Sequence, residues 1–176
     1  MDERSAVCAA PRGATRDAWP RERVEGLSHT YAKLHYHCVF STKDRRAFIK
    51  ESIRERLYAY VGGILRENKS QMIAVGGTEN HIHLLVDLPA TVPVSDAMRL
   101  VKANSSKWVR ETFATHQSFA WQTGYAAFSV SSSAIPDVTC YIQRQAEHHR
   151  TATFEEEFVE FLRRHQVEYD ERYLWG

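Results

Sequence analysis

Residues 79–88, which read Glu-Asn-His-Ile-His-Leu-Leu-Val-Asp-Leu, are the part of this chain that decides its fold. Apolar residues alternate through the stretch, which is the period-two pattern of a β-strand with one apolar face. Successive side chains of a strand point to opposite faces, so His81 and His83 share a face with their Cα atoms roughly 6.5–7 Å apart. We therefore expect a central strand that presents two imidazoles together, as a candidate metal or phosphate site.

The whole chain has the composition of an ordinary globular domain. Its 176 residues are 43% hydrophobic and 26% charged, which is enough for one domain with a full core. The sequence contains neither an apolar run near the roughly 20 residues that span a bilayer nor a secretory signal. Three distant cysteines, Cys8, Cys38 and Cys140, argue against a disulfide framework and a cysteine zinc site. The sequence predicts a cytoplasmic protein without a membrane segment.

The net charge of +1 conceals a division along the chain. Residues 31–150 hold fifteen Lys or Arg and ten Asp or Glu, whereas residues 151–176 hold three and seven. A basic body with an acidic end is compatible with a polyanion on one face. Residues 1–28 are rich in charged and small residues without a period, so we expect a disordered leader there.

Periodicity also predicts the elements around the central strand. Residues 33–42 alternate as a first strand with its own histidine pair, His35 and His37. That pair is a rival site, although lining the polar face of the sheet is the simpler interpretation. The other elements are a helix over 49–69, a short strand over 71–75 with a turn or bulge at Gly76-Gly77, a helix over 95–115 that Ser95 would cap, and a last strand over 119–130.

This β-α-β-β-α-β order is that of the ferredoxin-like (RRM-like) α+β fold. In that fold an antiparallel sheet carries helices on one face and leaves the other face open. We expect the open face to carry His81, His83 and also His37. A further helix, predicted over about 135–149, would add a polar stripe through Tyr141 and Gln145, which are four residues apart and share a helix face. Alone, such a stripe is more typical of a solvent-facing helix than of a site.

In combination, these motifs resemble those of the single-tyrosine HUH transposases of bacterial insertion sequences and their REP-associated relatives. His81-Ile82-His83 is an HUH motif, two histidines around a hydrophobic residue, and Tyr141-x-x-x-Gln145 follows it. One departure is Asn80, where an aspartate is common in the family; the change could tune the hydrogen bonding of the histidine. The resemblance covers residues 31–150 and includes residues 36–43, 81–86, 105–107 and Trp121-x-x-Gly124-Tyr125. We therefore expect an HUH transposase domain over residues 29–150.

The resemblance implies a metal-dependent enzyme that cleaves and rejoins single-stranded DNA beside imperfect hairpins. It implies Mg²⁺ or Mn²⁺ as the cofactor, held by His81, His83 and Gln145. Tyr141 would be the nucleophile, and the product a 5′-phosphotyrosine with a free 3′-hydroxyl. The resemblance also implies a homodimer, in which the tyrosine helix of one subunit can complete the histidine site of the other.

Basic and aromatic side chains are the candidates for contacts with DNA. Trp121 and Tyr125 are possible stacking platforms, with core packing an equally good interpretation. For the basic residues, a solvated surface is the alternative to a phosphate contact. The candidates for backbone contacts are Arg45, Arg46, Lys102, Lys107 and Arg110.

Residues 151–176 are predicted to form a final helix and a docking tail. Thr153-x-x-Glu156 is a capping box, and phenylalanines follow along one side of the helix. We interpret the segment as a packing or dimer-stabilising element, because its acidity disfavours contact with DNA. Two other functions stay open at this point. The chain could be a ferredoxin-like nucleic-acid-binding module without catalysis, or a metal hydrolase of small phosphoesters.

Overall fold

The computed structural model describes residues 31–175, so the leader predicted over residues 1–28 lies outside the described residues. Within the described range, we find no helix both long enough and apolar enough to cross a membrane. The strands and helices are β1 (Leu34–Ser41), α1 (Glu51–Glu67), β2 (Gln71–Gly77), β3 (His81–Leu88), α2 (Val94–Thr112), β4 (Ala126–Val130), α3 (Ile135–Gln143), α4 (Gln145–His148) and α5 (Phe154–Arg164).

The four strands form one antiparallel sheet in the order β2-β3-β1-β4. This order and the alternation of strands with α1 and α2 make the fold ferredoxin-like, as the sequence predicted. The central pair is β1 and β3, whose register places Val39 opposite His83 and Ser41 opposite His81. Both histidines of the HUH motif therefore lie on a central strand, at the end where β1 finishes and β3 begins.

The first face of the sheet is covered by α1 and α2. Its main apolar cluster joins the strands to these helices and includes Cys38, Phe40, Leu84, Leu57 and Met98. Trp121 is buried beside this cluster, and its indole N–H donates a hydrogen bond of 2.9 Å to the hydroxyl of Ser105. Trp121 is thus a core residue rather than an exposed stacking platform, whereas Tyr125 is exposed.

The second face of the sheet is also covered, so the expectation of an open face was wrong. In α3, Ile142 packs on Ala74 and Leu85. In α5, the buried residues Phe154 and Leu162 pack in a cluster with Val39 and Phe128. The physical reason is that these strands place apolar side chains between the histidines, and such side chains are stabilised by burial. His81 and His83 have no exposed surface as a result.

Close packing between β2 and α3 depends on a glycine. Gly76 and Gly77 belong to β2 instead of forming a turn, and the irregularity in this strand lies between Met72 and Ala74. A Cβ atom on Gly76 would lie 2.1 Å from the carbonyl oxygen of Ile142. The absence of a side chain at Gly76 therefore sets how closely the tyrosine-bearing helix approaches the sheet.

Three other predicted boundaries differ from the structure. Pro93 rather than Ser95 occupies the N-cap position of α2. The last strand is only five residues long, and Trp121 instead makes an isolated bridge with Thr42. The third helix breaks at Arg144, whose φ of −97° and ψ of 14° are not helical, which divides it into α3 and α4.

Candidate active site

Tyr141 lies near the end of α3 with its ring close to the histidines of the same chain. Its ring centroid is 6.0 Å from that of His83 and 6.3 Å from that of His37. Its hydroxyl donates a hydrogen bond to Oε1 of Glu157 in α5. Burial, followed by the hydrogen bond and charge of Glu157, raises the pKa of Tyr141 above its ordinary value. The phenol is therefore neutral in this arrangement.

Gln145 begins α4 and is buried beside the same carboxylate. Its Nε2 donates a hydrogen bond of 2.9 Å to Oε1 of Glu157. That bond orients the amide so that its Oε1 faces Nε2 of His81 at 3.3 Å. Despite the break at Arg144, Tyr141 and Gln145 thus reach one point, as their spacing predicted.

The imidazole of His81 is oriented by its neighbours in the sequence. Its Nδ1 lies 2.7 Å from Oδ1 of Asn80 and 3.0 Å from the hydroxyl of Thr78. Amide oxygens only accept hydrogen bonds, and the Asn80 oxygen is much closer to Nδ1 than the Gln145 oxygen is to Nε2, at 3.3 Å, so the hydrogen lies on Nδ1 and Nε2 of the neutral ring carries a lone pair. Burial, followed by the neighbouring His83, lowers the pKa of His81 to about 3. Asn80 therefore fixes the tautomer of His81 through its side-chain oxygen.

His83 has one satisfied and one unsatisfied nitrogen. Its Nδ1 lies 3.0 Å from Nε2 of His37. Its Nε2 lies 3.3 Å from Oε2 of Glu157 without hydrogen-bond alignment, and it has no hydrogen-bond partner among residues 31–175. Burial lowers the pKa of His83, and burial followed by His83 lowers the pKa of His37 to about 3. His37 is thus a support for His83 rather than part of a rival site.

Two residues that the sequence analysis did not select complete the cluster. Glu157 points inward from α5 and is buried, with 6% of its surface exposed. Burial alone would raise the pKa of Glu157, but His83 and the hydrogen bonds from Tyr141 and Gln145 outweigh burial and lower it. His149 follows α4, and its Nε2 lies 3.2 Å from Oε2 of Glu157.

The arrangement fits a divalent cation. His81, His83, His149 and Glu157 each offer one ligand atom, and these atoms all lie within 4.8 Å of one another. Ligands at about 2.0–2.2 Å from a single cation are roughly 3–4.5 Å apart. The buried Nε2 of His83 also lacks any other partner within the described residues. A cation among these atoms would relieve the repulsion between lone pairs that face one another.

Two cavities border this cluster. One, of about 1010 Å³, lies between β4, α3 and α5 and is lined by Tyr141, Glu157 and Arg164. The other, of about 720 Å³, is lined by Asn80 and His149 together with three arginines and three glutamates, which are Arg45, Arg54, Arg150, Glu79, Glu155 and Glu156. Tyr141 and Glu157 therefore line the first cavity and His149 the second, whereas His81 and His83 line neither.

Three of the five predicted DNA-contacting residues are partly buried and contact other parts of the chain. The Lys102 ammonium donates to the carbonyl oxygens of Gln122, at 2.6 Å, and Gly124. Arg110 donates to the carbonyl oxygen of Phe119 at 3.0 Å. Arg45 pairs with Glu155 at 2.6 Å, and its guanidinium also lies 5.1 Å from the centre of the Trp175 ring.

The other two predicted basic residues are exposed. Lys107 lies on α2, which covers the sheet face opposite the histidines, and its ammonium is 3.9 Å from Glu111. The Arg46 guanidinium lies 4.7 Å from the centre of the Phe48 ring. The structure thus places Arg45 beside the cavity next to His149, and Lys107 in the opposite layer.

The fold and the site define a ferredoxin-like protein with a buried histidine and carboxylate cluster beside a tyrosine. The family model described as "Transposase IS200 like" matches residues 30–145. Over 134 residues, the chain is 31% identical to the transposase for insertion sequence element IS200 of Salmonella typhimurium and to that of Salmonella typhi. Each match covers 70% of this chain and 84% of the relative. The chain belongs to the IS200-like transposase family, whose members are enzymes that cut and transfer DNA.

Solved structures share the fold. A protein of Deinococcus radiodurans R1, provisionally described as a transposase, matches with a TM-score of 0.57 and 20% identity, over 69% of this chain and 98% of that one. A REP-associated tyrosine transposase solved with a REP hairpin matches with a TM-score of 0.54 and 15% identity, over 72% of this chain and 74% of that one. At these identities, the two matches support the ferredoxin-like fold.

Proposed function

We propose that this transposase cleaves and rejoins single-stranded DNA at hairpin-flanked sites through a 5′-phosphotyrosine on Tyr141. The observation that carries the proposal is the position of Glu157 between the phenol and the histidines. One of its oxygens accepts a hydrogen bond from the Tyr141 hydroxyl, and the other lies 3.3 Å from Nε2 of His83. A single carboxylate thus spans the distance between the nucleophile and the HUH motif.

The proposed step is a transesterification. The phenolic oxygen of Tyr141 attacks phosphorus, the bond from phosphorus to the 3′ oxygen breaks, and the 3′ oxygen leaves and gains a proton. Oε1 of Glu157, a weak base because its own pKa is lowered, orients the phenolic hydroxyl as its hydrogen-bond acceptor. The proton that the phenol loses passes through solvent water to the leaving 3′ oxygen, so the protons balance. The new bond is again a phosphodiester, so a 3′-hydroxyl can reverse the step and join strands without a nucleotide cofactor.

In this proposal His81, His83 and Gln145 hold Mg²⁺ or Mn²⁺, which when bound supplies polarisation of a phosphoryl oxygen. The other residues orient these three ligands. Asn80 holds the tautomer of His81, and Glu157 turns the Gln145 amide oxygen toward it. These contacts mean that the ligand atoms are positioned before any substrate binds.

DNA is proposed to approach along the cavity beside His149. Arg45, Arg54 and Arg150 line that cavity and would offer cations to a phosphate backbone, and Arg45 would exchange its ion pair with Glu155 for a phosphate. Arg46, Lys102, Lys107 and Arg110 stay proposed contacts for the rest of a hairpin, and the hairpin-bound relative supports this substrate class. We further propose a cytoplasmic homodimer. Tyr141 lies near the histidines of its own chain, so the nucleophile and the HUH motif of one subunit are arranged in cis.

A denaturing gel tests the proposal with single-stranded DNA from the flanks of the gene, labelled at its 3′ end. We expect a protein-linked labelled fragment with Mn²⁺ and none with EDTA. Tyr141→Phe should abolish the adduct and keep hairpin binding. The matched control, Tyr173→Phe, changes an exposed tyrosine and should leave the adduct unchanged. Hairpin binding without cleavage by any divalent ion would favour the non-catalytic module, and undiminished adduct in Tyr141→Phe would reject the nucleophile.

A further inference from the structure

We infer that Glu157 of α5 and His149, which follows α4, are additional ligands of the bound cation, so that three imidazoles and one carboxylate hold it together with the Gln145 amide. The inference rests on the proposed metal dependence. It goes beyond the histidine, histidine and glutamine set, because both new ligands follow residue 145, where the family-matched region ends. It assigns the acidic C-terminal helix a part in the site itself.

The first support is the direction of the imidazole lone pairs. The Nδ1–H of His149 donates to the carbonyl oxygen of Ala152 at 2.8 Å, so Nε2 of the neutral ring carries a lone pair. The same reasoning from Asn80 gives Nε2 of His81 a lone pair. Both nitrogens face Oε2 of Glu157, at 3.2 Å for His149 and 3.9 Å for His81. With both rings neutral, acceptors face an acceptor, and a cation would stabilise this arrangement.

The second support is that the two oxygens of Glu157 have different partners. Oε1 accepts the hydrogen bonds from Tyr141 and Gln145, and Nε2 of His148 lies 3.6 Å from it. Oε2 receives neither of those hydrogen bonds and faces the three imidazoles. The hydrogen bonds to Oε1 hold the carboxylate in place and leave Oε2 available as a ligand atom.

The third support is charge. Glu157 is a buried carboxylate, and within residues 31–175 its ion-pair partners are all histidines. Neutral imidazoles bring no positive charge, so a buried carboxylate among them loses its hydration without full compensation. The buried Nε2 of His83, which has no hydrogen-bond partner in the same range, points to the same missing group. A divalent cation at this point satisfies both.

The donor set also indicates which cations the site prefers. Three imidazoles and one carboxylate suit transition-metal ions, whereas Mg²⁺ prefers oxygen ligands and retains several waters. The completed site should therefore bind Mn²⁺ more tightly than Mg²⁺. A site made only of His81, His83 and Gln145 has one imidazole fewer and no charged ligand, so its preference should be weaker.

Mn²⁺ binding to the metal-free full chain tests the inference, with free Mn²⁺ measured by its electron paramagnetic resonance signal. We expect Glu157→Gln and His149→Gln each to raise the Kd for Mn²⁺ at least about tenfold. Glu157→Gln keeps an oxygen for Tyr141 and replaces Oε2 with an N–H that can bond to the imidazoles, so the fold should persist. Controls are Glu160→Gln, on the exposed side of α5, and His116→Gln, in the turn after α2.

The outcomes separate this inference from the proposed function. If Glu157→Gln and His149→Gln bind Mn²⁺ like the wild type while His81→Ala does not, the additional ligands are rejected and the HUH site stands. If His81→Ala also binds like the wild type, the proposed metal site fails as well. Pulsed paramagnetic resonance of the wild type avoids any folding defect of a variant: three coordinated imidazole nitrogens support the inference, and two overturn it.

Discussion

The hydroxyl of Tyr141 in α3 donates a hydrogen bond to the carboxylate of Glu157 in α5. This contact joins the proposed nucleophile to the C-terminal helix. The same carboxylate accepts a hydrogen bond from the side-chain amide of Gln145. The helix that follows the family-matched region is therefore part of the structure around the site. Capping by Thr153, whose hydroxyl accepts the N–H of Glu156, holds the first turn of this helix just before Glu157.

Removal of this hydroxyl should lower stability as well as activity. We expect Tyr141→Phe to reduce the free energy of unfolding by about 1–2 kcal/mol, because a half-buried hydrogen bond to a charged acceptor is lost. Urea denaturation with EDTA present measures the change. The exposed Tyr173→Phe should stay within about 0.5 kcal/mol of the wild type. Equal stability of all three proteins would show that the Tyr141 contact contributes nothing.

The approach of α3 to the sheet should depend on Gly76. A methyl group there would collide with the carbonyl oxygen of Ile142, so Gly76→Ala should cost more than about 2 kcal/mol or displace α3. Gly63→Ala is the matched control, because nothing lies within 4 Å of the added Cβ and alanine favours helix by about 1 kcal/mol. Urea midpoints measure both changes, and similar midpoints for the two variants would contradict the packing.

Most of the sheet was predictable, because alternation along β1 and β3 follows directly from the geometry of a strand. The cover on the second face was not predicted, although Val39, Leu85 and Phe128 required it. Strand periodicity identifies which side chains share a face, but it does not identify what packs there. The break at Arg144 also escaped prediction, since its neighbours are ordinary helix formers.

Glu157 was missed because it stands in a run of three glutamates, Glu155–Glu157, which reads as the solvated first turn of a helix. A signal was present, since Glu157 lies three residues after Phe154 and four before Phe161 and so shares the apolar side. His149 had no such signal. Its position depends on the short α4 and on the hydrogen bond to the Ala152 carbonyl, which are features of tertiary structure.

Two lysines of α2 should respond differently to truncation. Lys102→Ala should lower stability by about 1–2 kcal/mol, because the carbonyl oxygens of Gln122 and Gly124 lose their shared donor. Lys107→Ala should leave stability unchanged and, if Lys107 contacts a phosphate, lower the salt dependence of hairpin binding by about one unit of slope. Thermal unfolding and binding at several salt concentrations measure the two effects. The reverse pattern would contradict these assignments.

Lowering the pH should destabilise the metal-free protein already at pH values higher than those at which carboxylates titrate. The pKa values of His37 and His81 fall from 6.5 to about 3 on folding, so between these values the unfolded chain binds more protons. As the pH is lowered below 6.5, the free energy of unfolding should therefore decrease by about 1.4 kcal/mol per pH unit for each of the two histidines. Urea titrations at pH 7.5 and 5.5 with EDTA test this. Equal stability at the two pH values would contradict the burial of His37 and His81 as neutral rings. The control variant His116→Gln should lose as much stability on acidification as the wild type.

The central claim is that Tyr141 becomes covalently attached to DNA, and peptide mass spectrometry tests it most directly. The protein is incubated with Mn²⁺ and its single-stranded hairpin substrate, the adduct is isolated under denaturing conditions, and the DNA is trimmed by nucleases before proteolysis. We predict a nucleotide phosphate on Tyr141, linked through the 5′ phosphate. The same mass on any other residue, or strand cleavage with unmodified Tyr141 throughout, would contradict the account.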